Sequence, residues 1–186
     1  MIGGAEERLV ALLRADPVRW RILTMAEQLG LPDCWIGAGF VRAAVWDYVG
    51  GYPVCAPEAD IDIIWFDAQR MAGGVDRQLE AQLRAQDPSF DWSVKNQARM
   101  HTRNGDKPYV SASDAMCYWP ETATAVAARV VSGECLVAAP YGLQDLFQGV
   151  VRPTPEFVAK RRAIFDQRVG DKHWQKRWPF LRLAAG

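Results

Sequence analysis

Residues 35–67 read WIGAGFVRAAVWDYVGGYPVCAPEADIDIIWFD, and the folding of this stretch decides the rest of the chain. Trp35 and Ile36 run into a turn containing Gly37 and Gly39, as a short strand would end. From there Phe40, Val41, Ala44, Val45 and Tyr48 recur at helical spacing until Gly50-Gly51, which predicts a helix closed by glycine. The segment after it alternates. Ile61, Ile63 and Trp65 fall on one face of a strand, and Asp60, Asp62, Ile64 and Phe66 on the other. That second face begins polar and ends apolar, so the strand starts at an edge or cleft and runs into the interior.

Two carboxylates two positions apart on a strand point to the same side, with roots roughly 6 to 7 Å apart. Both therefore reach one ion. Left alone, each raises the pKa of the other. A divalent cation such as Mg²⁺ removes the repulsion, favours carboxylate oxygens and keeps positions open for water and phosphate. Asp60 and Asp62 are the metal candidates on this ground. Gly37 and Gly39 strip side chains from the point where strand meets helix, so a phosphate can approach backbone N–H groups at the positive end of the helix. Arg42, one turn further on, adds a charge-assisted contact. Metal ligands from one strand and a donor turn from the preceding one suit a nucleoside triphosphate gripped from two sides.

Outward from this stretch, helical spacing covers 4–15 and 18–29, divided by Asp16-Pro17, and again 74–86. FDWSVKN, residues 90–96, reads as a strand, and Ser132-Gly133 as the turn of a strand pair. Residues 141–151 and 154–169 read as helices, the second opening on Thr154-Pro155. Helices flanking a small mixed sheet make this an α/β (α+β) fold. With 186 residues, no repeat and no long linker, one domain over 1–186 is expected, carrying an N-terminal helix pair and a basic helical tail.

Composition narrows the function. No apolar run reaches the roughly 18 residues of a membrane helix, and MIGGAEERLV carries no signal pattern, so a soluble cytoplasmic protein is expected. Cys34, Cys55, Cys117 and Cys135 lie far apart and fit free thiols better than a zinc site or disulfides. Lys and Arg number 13 against 19 Asp and Glu through Val151, and 9 against 3 from Arg152 on. A basic tail can hold a polyanion such as nucleic acid; a tail folded back on the acidic body is favoured, because Trp174, Trp178 and Phe180 want burial. Most of the eight tryptophans fit a core, with Trp92 and Trp119 the two considered for base stacking.

GAGFVRAAVWDYVGG followed by DIDI resembles the head of the polymerase-beta-type nucleotidyltransferases, and most nearly the G-G-x-V-R-D helix start of the CCA-adding tRNA nucleotidyltransferases. Gly39, Val41 and Arg42 match; Ala38 separates the two glycines, and Ala43 stands where an Asp would follow the arginine. WSVKNQARMH, WPETATAVAAR and APYGLQDLF are similar to blocks of a bacterial family of nucleotidyltransferase-like proteins without an established substrate. The resemblance implies the nucleotidyltransferase fold and Mg²⁺-dependent transfer of a nucleoside monophosphate from an NTP to a hydroxyl acceptor, which it does not identify. It also implies a third carboxylate on a neighbouring strand that deprotonates the acceptor. Asp91 is the candidate. The alternative is a nucleotide-binding or regulatory module that keeps this fold without turnover. The polar run Asn96, Gln97, Arg99 and His101, just after the Asp91 strand, is the candidate for substrate contacts.

Overall fold

The computed structural model describes residues 4–53, 55–57 and 60–185; residues 1–3, Val54, Glu58, Ala59 and Gly186 lie outside it. Asp16 and Pro17 separate α1 (Ala5–Ala15) from α2 (Pro17–Glu27) as expected. The Asp16 carboxylate accepts from the Val18 and Arg19 amides at 3.0 Å each, and proline opens the helix where its missing N–H matters least. There follow β1 (Trp35–Gly37), α3 (Gly39–Val49), β2 (Asp60–Trp65), α4 (Gly73–Gln86), β3 (Asp91–Asn96), α5 (Gln97–Asn104) and α6 (Ala112–Met116). A hairpin of β4 (Ala127–Val131) and β5 (Glu134–Ala138) comes next. It turns through Ser132 and Gly133, both at positive φ, the geometry that matches the twist of its strands.

The five strands form one mixed sheet in the order β3-β2-β1-β4-β5. Only β2 and β3 run parallel, and α4 is the crossover between them. On one face Ile36, Ile61, Ile63, Trp65, Trp92 and Val94 join Leu9, Leu13, Ile22 and the inner side of α3 in the main core. Part of the other face is covered by Ala112 and Met116 of α6, and part is left open. Helix α4 also closes the outer edge of β3. Its Glu80 carboxylate accepts the Val94 amide at 2.9 Å, and Asp76 accepts the Asn96 amide at 3.1 Å and the Trp65 indole N–H at 2.9 Å. Acids one helical turn apart thus meet amides two strand residues apart, satisfying groups that an edge would leave open.

Two helices expected near the end of the chain are interrupted. Within 141–151 only α7 (Gln144–Phe147) forms; Gly149, at φ 64°, then turns the chain into β6 (Val150–Val151), which pairs parallel with β7 (Arg182–Leu183). The run from Thr154 divides into α8 (Pro155–Ala159) and α9 (Arg162–Lys172), and α10 (Trp174–Arg177) follows. At the division Arg161 leaves helical geometry, with φ −128°, while its guanidinium pairs with the buried Asp106 carboxylate and donates to the Asn104 carbonyl at 3.0 Å. Tertiary pairing overrides local helical preference here.

The tail folds back on the body. Trp174 and Trp178 meet Trp46 edge-on at 5.7 and 5.1 Å between ring centres. Arg177 and the Trp178 indole both donate to Asp47, at 3.0 and 2.8 Å; Arg168 donates to Glu121 at 2.7 Å, and Arg152 to Asp145 at 2.9 Å. Four of the nine tail cations, Arg152, Arg161, Arg168 and Arg177, thus pair with body acids. Among the described residues no helix is long and apolar enough to cross a membrane.

Candidate active site

The parallel register sets Asp60 beside Asp91 and Asp62 beside Ser93, all four on the sheet face opposite the main core. The β1 pairing with β2, carried one residue on, brings Gly37 next to Asp62. Asp60 is exposed and Asp62 half-buried. Burial raises the pKa of Asp62; the Ser93 hydroxyl, hydrogen-bonded to it, opposes this, the Asp60 charge adds to it, and Lys95 and Lys172 pull back, leaving a net rise. A cation at the pair would reverse that rise. Asp91 shares that face, but its side chain is 73 % exposed and lies 3.5 Å from Arg84 of α4. Among the described residues no three His, Cys, Asp or Glu converge as a metal cluster. The Asp60 and Asp62 carboxylates are a hard-oxygen pair of the chemistry that suits a cation completing its shell with water and phosphate.

The two glycines of the turn before α3 differ in their surroundings. A Cβ on Gly37 would lie 2.7 Å from Cη2 of Trp119, so that space is filled by an indole ring. A Cβ on Gly39 would have only Arg42 Nη2 nearby, at 3.7 Å. Between them Ala38 caps the helix at φ 55° and ψ −125°, backbone that favours glycine. Its N–H donates to the Val126 carbonyl at 3.0 Å, and its carbonyl accepts from the Arg42 amide at 3.0 Å. Arg42 itself is buried, 4 % exposed, with its guanidinium over the Trp46 and Trp174 rings at 5.0 and 4.5 Å. Its Nη1 donates to the Thr124 hydroxyl at 2.8 Å.

Asp62, Ala38, Ser93, Thr124 and the Trp119 ring line one cleft of about 270 Å³. Asp62 of the acid pair and Ala38 of the turn therefore open on the same space. Of the polar run after β3, only Gln97 reaches it. Asn96 is buried and caps α5 while binding the Asp67 and Arg70 carbonyls at 2.8 and 2.9 Å. Arg99 pairs with Asp76, and His101 packs its ring against Tyr109. Of the two tryptophans singled out, Trp92 is in the core with its indole N–H on the Asp87 carbonyl, and Trp119 is in the cleft. Asn104 and Arg168 also line it, from segments with no motif around them, whereas Thr124 comes from the WPETATAVAAR block.

A short strand ending in a glycine turn, a helix, and Asp-x-Asp on the adjacent strand over an open cleft are the architecture of a nucleotidyltransferase head. The chain belongs to the nucleotidyltransferase family whose model matches residues 24–183. It is similar to a protein whose NMR structure is described as revealing a CCA-adding enzyme head domain: 34 % identity over 97 % of this chain and 96 % of that one, at a TM-score of 0.85. The fold is shared with a CCA-adding enzyme in complex with CTP, at 16 % identity and a TM-score of 0.58 over 96 % of this chain and 43 % of that one. It is shared also with the Thermotoga maritima CCA-adding enzyme complexed with tRNA, at 16 % identity and a TM-score of 0.56 over 96 % of this chain and 42 % of that one. The chain spans less than half the length of these two enzymes. No curated protein matches it. The family and the likeness to CCA-adding heads are as the opening motif implies, and they make this chain a nucleotidyltransferase using nucleoside triphosphates.

Proposed function

We propose that the chain transfers a nucleoside monophosphate from an NTP to a hydroxyl acceptor in the cleft between β2 and the α3 turn. The observation that carries this is the convergence of Asp62 and Ala38 on one cleft, with Asp60 on the same strand face. Asp60 and Asp62 would hold a divalent cation such as Mg²⁺, which when bound neutralises phosphate charge and eases attack at phosphorus. Gly39 and the first amides of α3 receive phosphate oxygens, since nothing but Arg42 Nη2 stands over Gly39. Gly37 makes room for Trp119, and Arg42 acts as a positioning residue that holds the Thr124 hydroxyl at the cleft wall.

Asp91 stands beside Asp60 on the solvent side, from which an acceptor arrives. As the acceptor oxygen bonds to the α-phosphorus, the hydroxyl proton passes to the Asp91 carboxylate and the bond to pyrophosphate breaks. Pairing of Arg152, Arg161 and Arg177 with body acids supports a small hydroxylated acceptor over an RNA held by the tail.

The test is release of pyrophosphate from each of the four NTPs with Mg²⁺, using cell extract as the acceptor pool. Asp62→Asn preserves size and hydrogen bonding and is expected to lower the rate on the order of a thousandfold. Equal release by wild type and variant would sink the proposal, and nucleotide binding without release would leave the non-transferring module instead.

A further inference from the structure

Arg168 and Lys172 stand one turn apart on α9 and so share a helix face. Arg168 lines the cleft with Asp62 and Ala38, although it comes from the opposite end of the chain. Its Nε is anchored on Glu121, whose side chain is 1 % exposed. Among the described residues its Nη1 and Nη2 make no hydrogen bond. Lys172 is exposed, has no ion pair among the described residues, and lies near enough for its charge to act on Asp62. The other basic groups near the cleft are engaged elsewhere: Lys95 pairs with Glu80, and Arg42 donates to Thr124 between two indoles.

A cleft lined by Asp62, with Asp60 on the same strand face, repels a polyanion unless cations face it. An arginine that lines such a cleft, fixed at Nε by a buried acid and with its guanidinium 5.7 Å from the Trp174 ring centre, keeps two outer nitrogens for bidentate contact with phosphate. We propose that Arg168 and Lys172 bind the β- and γ-phosphates of the incoming triphosphate, so that the C-terminal helix completes the site begun by the glycine turn. This rests on the nucleotide reading of the same cleft.

The probe is inorganic tripolyphosphate, titrated calorimetrically into the full chain with MgCl₂, which removes any dependence on base or acceptor. Lys172→Gln changes an exposed residue. Arg168→Met is made together with Glu121→Gln, so that no buried carboxylate is stranded, and melting curves of both variants check folding. Each is expected to weaken tripolyphosphate binding on the order of tenfold. Wild-type affinity in either variant overturns the assignment of that residue, and failure of the wild-type chain to bind tripolyphosphate overturns both. Should binding follow these residues while Asp62→Asn still releases pyrophosphate, the transfer mechanism fails and the phosphate site stands.

Discussion

Replacing each glycine of the α3 turn by alanine separates packing from ligand access. At Gly37 the new methyl would sit 2.7 Å from Cη2 and 3.2 Å from Cζ3 of Trp119, and 3.5 Å from the Val126 carbonyl oxygen. Carbon atoms prefer about 3.5 to 4.0 Å, so the ring or the strand must move. The ring is poorly placed to yield: the Trp119 backbone is tied by its amide to the Met116 carbonyl at 3.1 Å and by its carbonyl to the Thr154 hydroxyl at 2.7 Å. Overpacking of this kind costs about 1 to 3 kcal/mol, or roughly 3 to 10 °C in melting temperature at this chain length. At Gly39 the nearest atom would be 3.7 Å away, and alanine is favoured over glycine in a helix. Gly39→Ala should therefore melt at or slightly above wild type yet transfer poorly, because its methyl enters the space assigned to phosphate. Thermal melts by circular dichroism, paired with pyrophosphate release, read both effects. Trp119→Phe, which shortens the ring, should restore part of the Gly37→Ala loss in a non-additive way. A Gly37→Ala chain that melts with wild type, or a Gly39→Ala chain that loses as much stability, refutes the division of roles.

Two further outcomes follow from single residues. Ala38 holds φ 55° and ψ −125°, which costs about 1 to 3 kcal/mol for a residue with a Cβ, against about 0.5 to 1 kcal/mol of extra unfolded-state entropy for glycine. Ala38→Gly should gain about 1 kcal/mol and raise the urea midpoint; a lower midpoint counts against strain at this turn. Burial works to raise the Glu80 pKa, but the Lys95 ammonium and the Val94 amide outweigh it and hold the carboxyl below its ordinary value of 4.5. Its contribution is therefore present above pH 4.5 and lost as pH falls through the lower folded value. Glu80→Gln should flatten the acid limb of the stability profile, whereas superimposable limbs would show that the α4 seal on β3 contributes nothing electrostatic.

The β1 turn, α3 and the Asp-x-Asp strand were legible because each depends on neighbours in sequence: alternation sets the acid face, and glycines end strand and helix. FDWSVKN was legible as a strand, but its register, with Asp91 beside Asp60, came only with the fold. What lay hidden depends on distant partners. Nothing around Gly37 announces that an indole 82 positions away needs its missing Cβ. The break at Arg161 contains neither glycine nor proline, and its cause is Asp106 across the fold. Strands as short as Val150–Val151 and Arg182–Leu183 carry no period of their own. Arg168 was one of nine cations in the tail, and only the folded chain turns it to the cleft.

Pairing of tail cations with body acids also bears on how the chain is made. Asp47 leaves the ribosome 130 residues before the Arg177 that neutralises it, and Glu121 emerges 47 residues before Arg168. Until those arginines appear, a nascent body that closed early would trap uncompensated carboxylates, each a penalty of several kcal/mol. Vectorial synthesis thus leaves this docking to the moment α9 and α10 have been released.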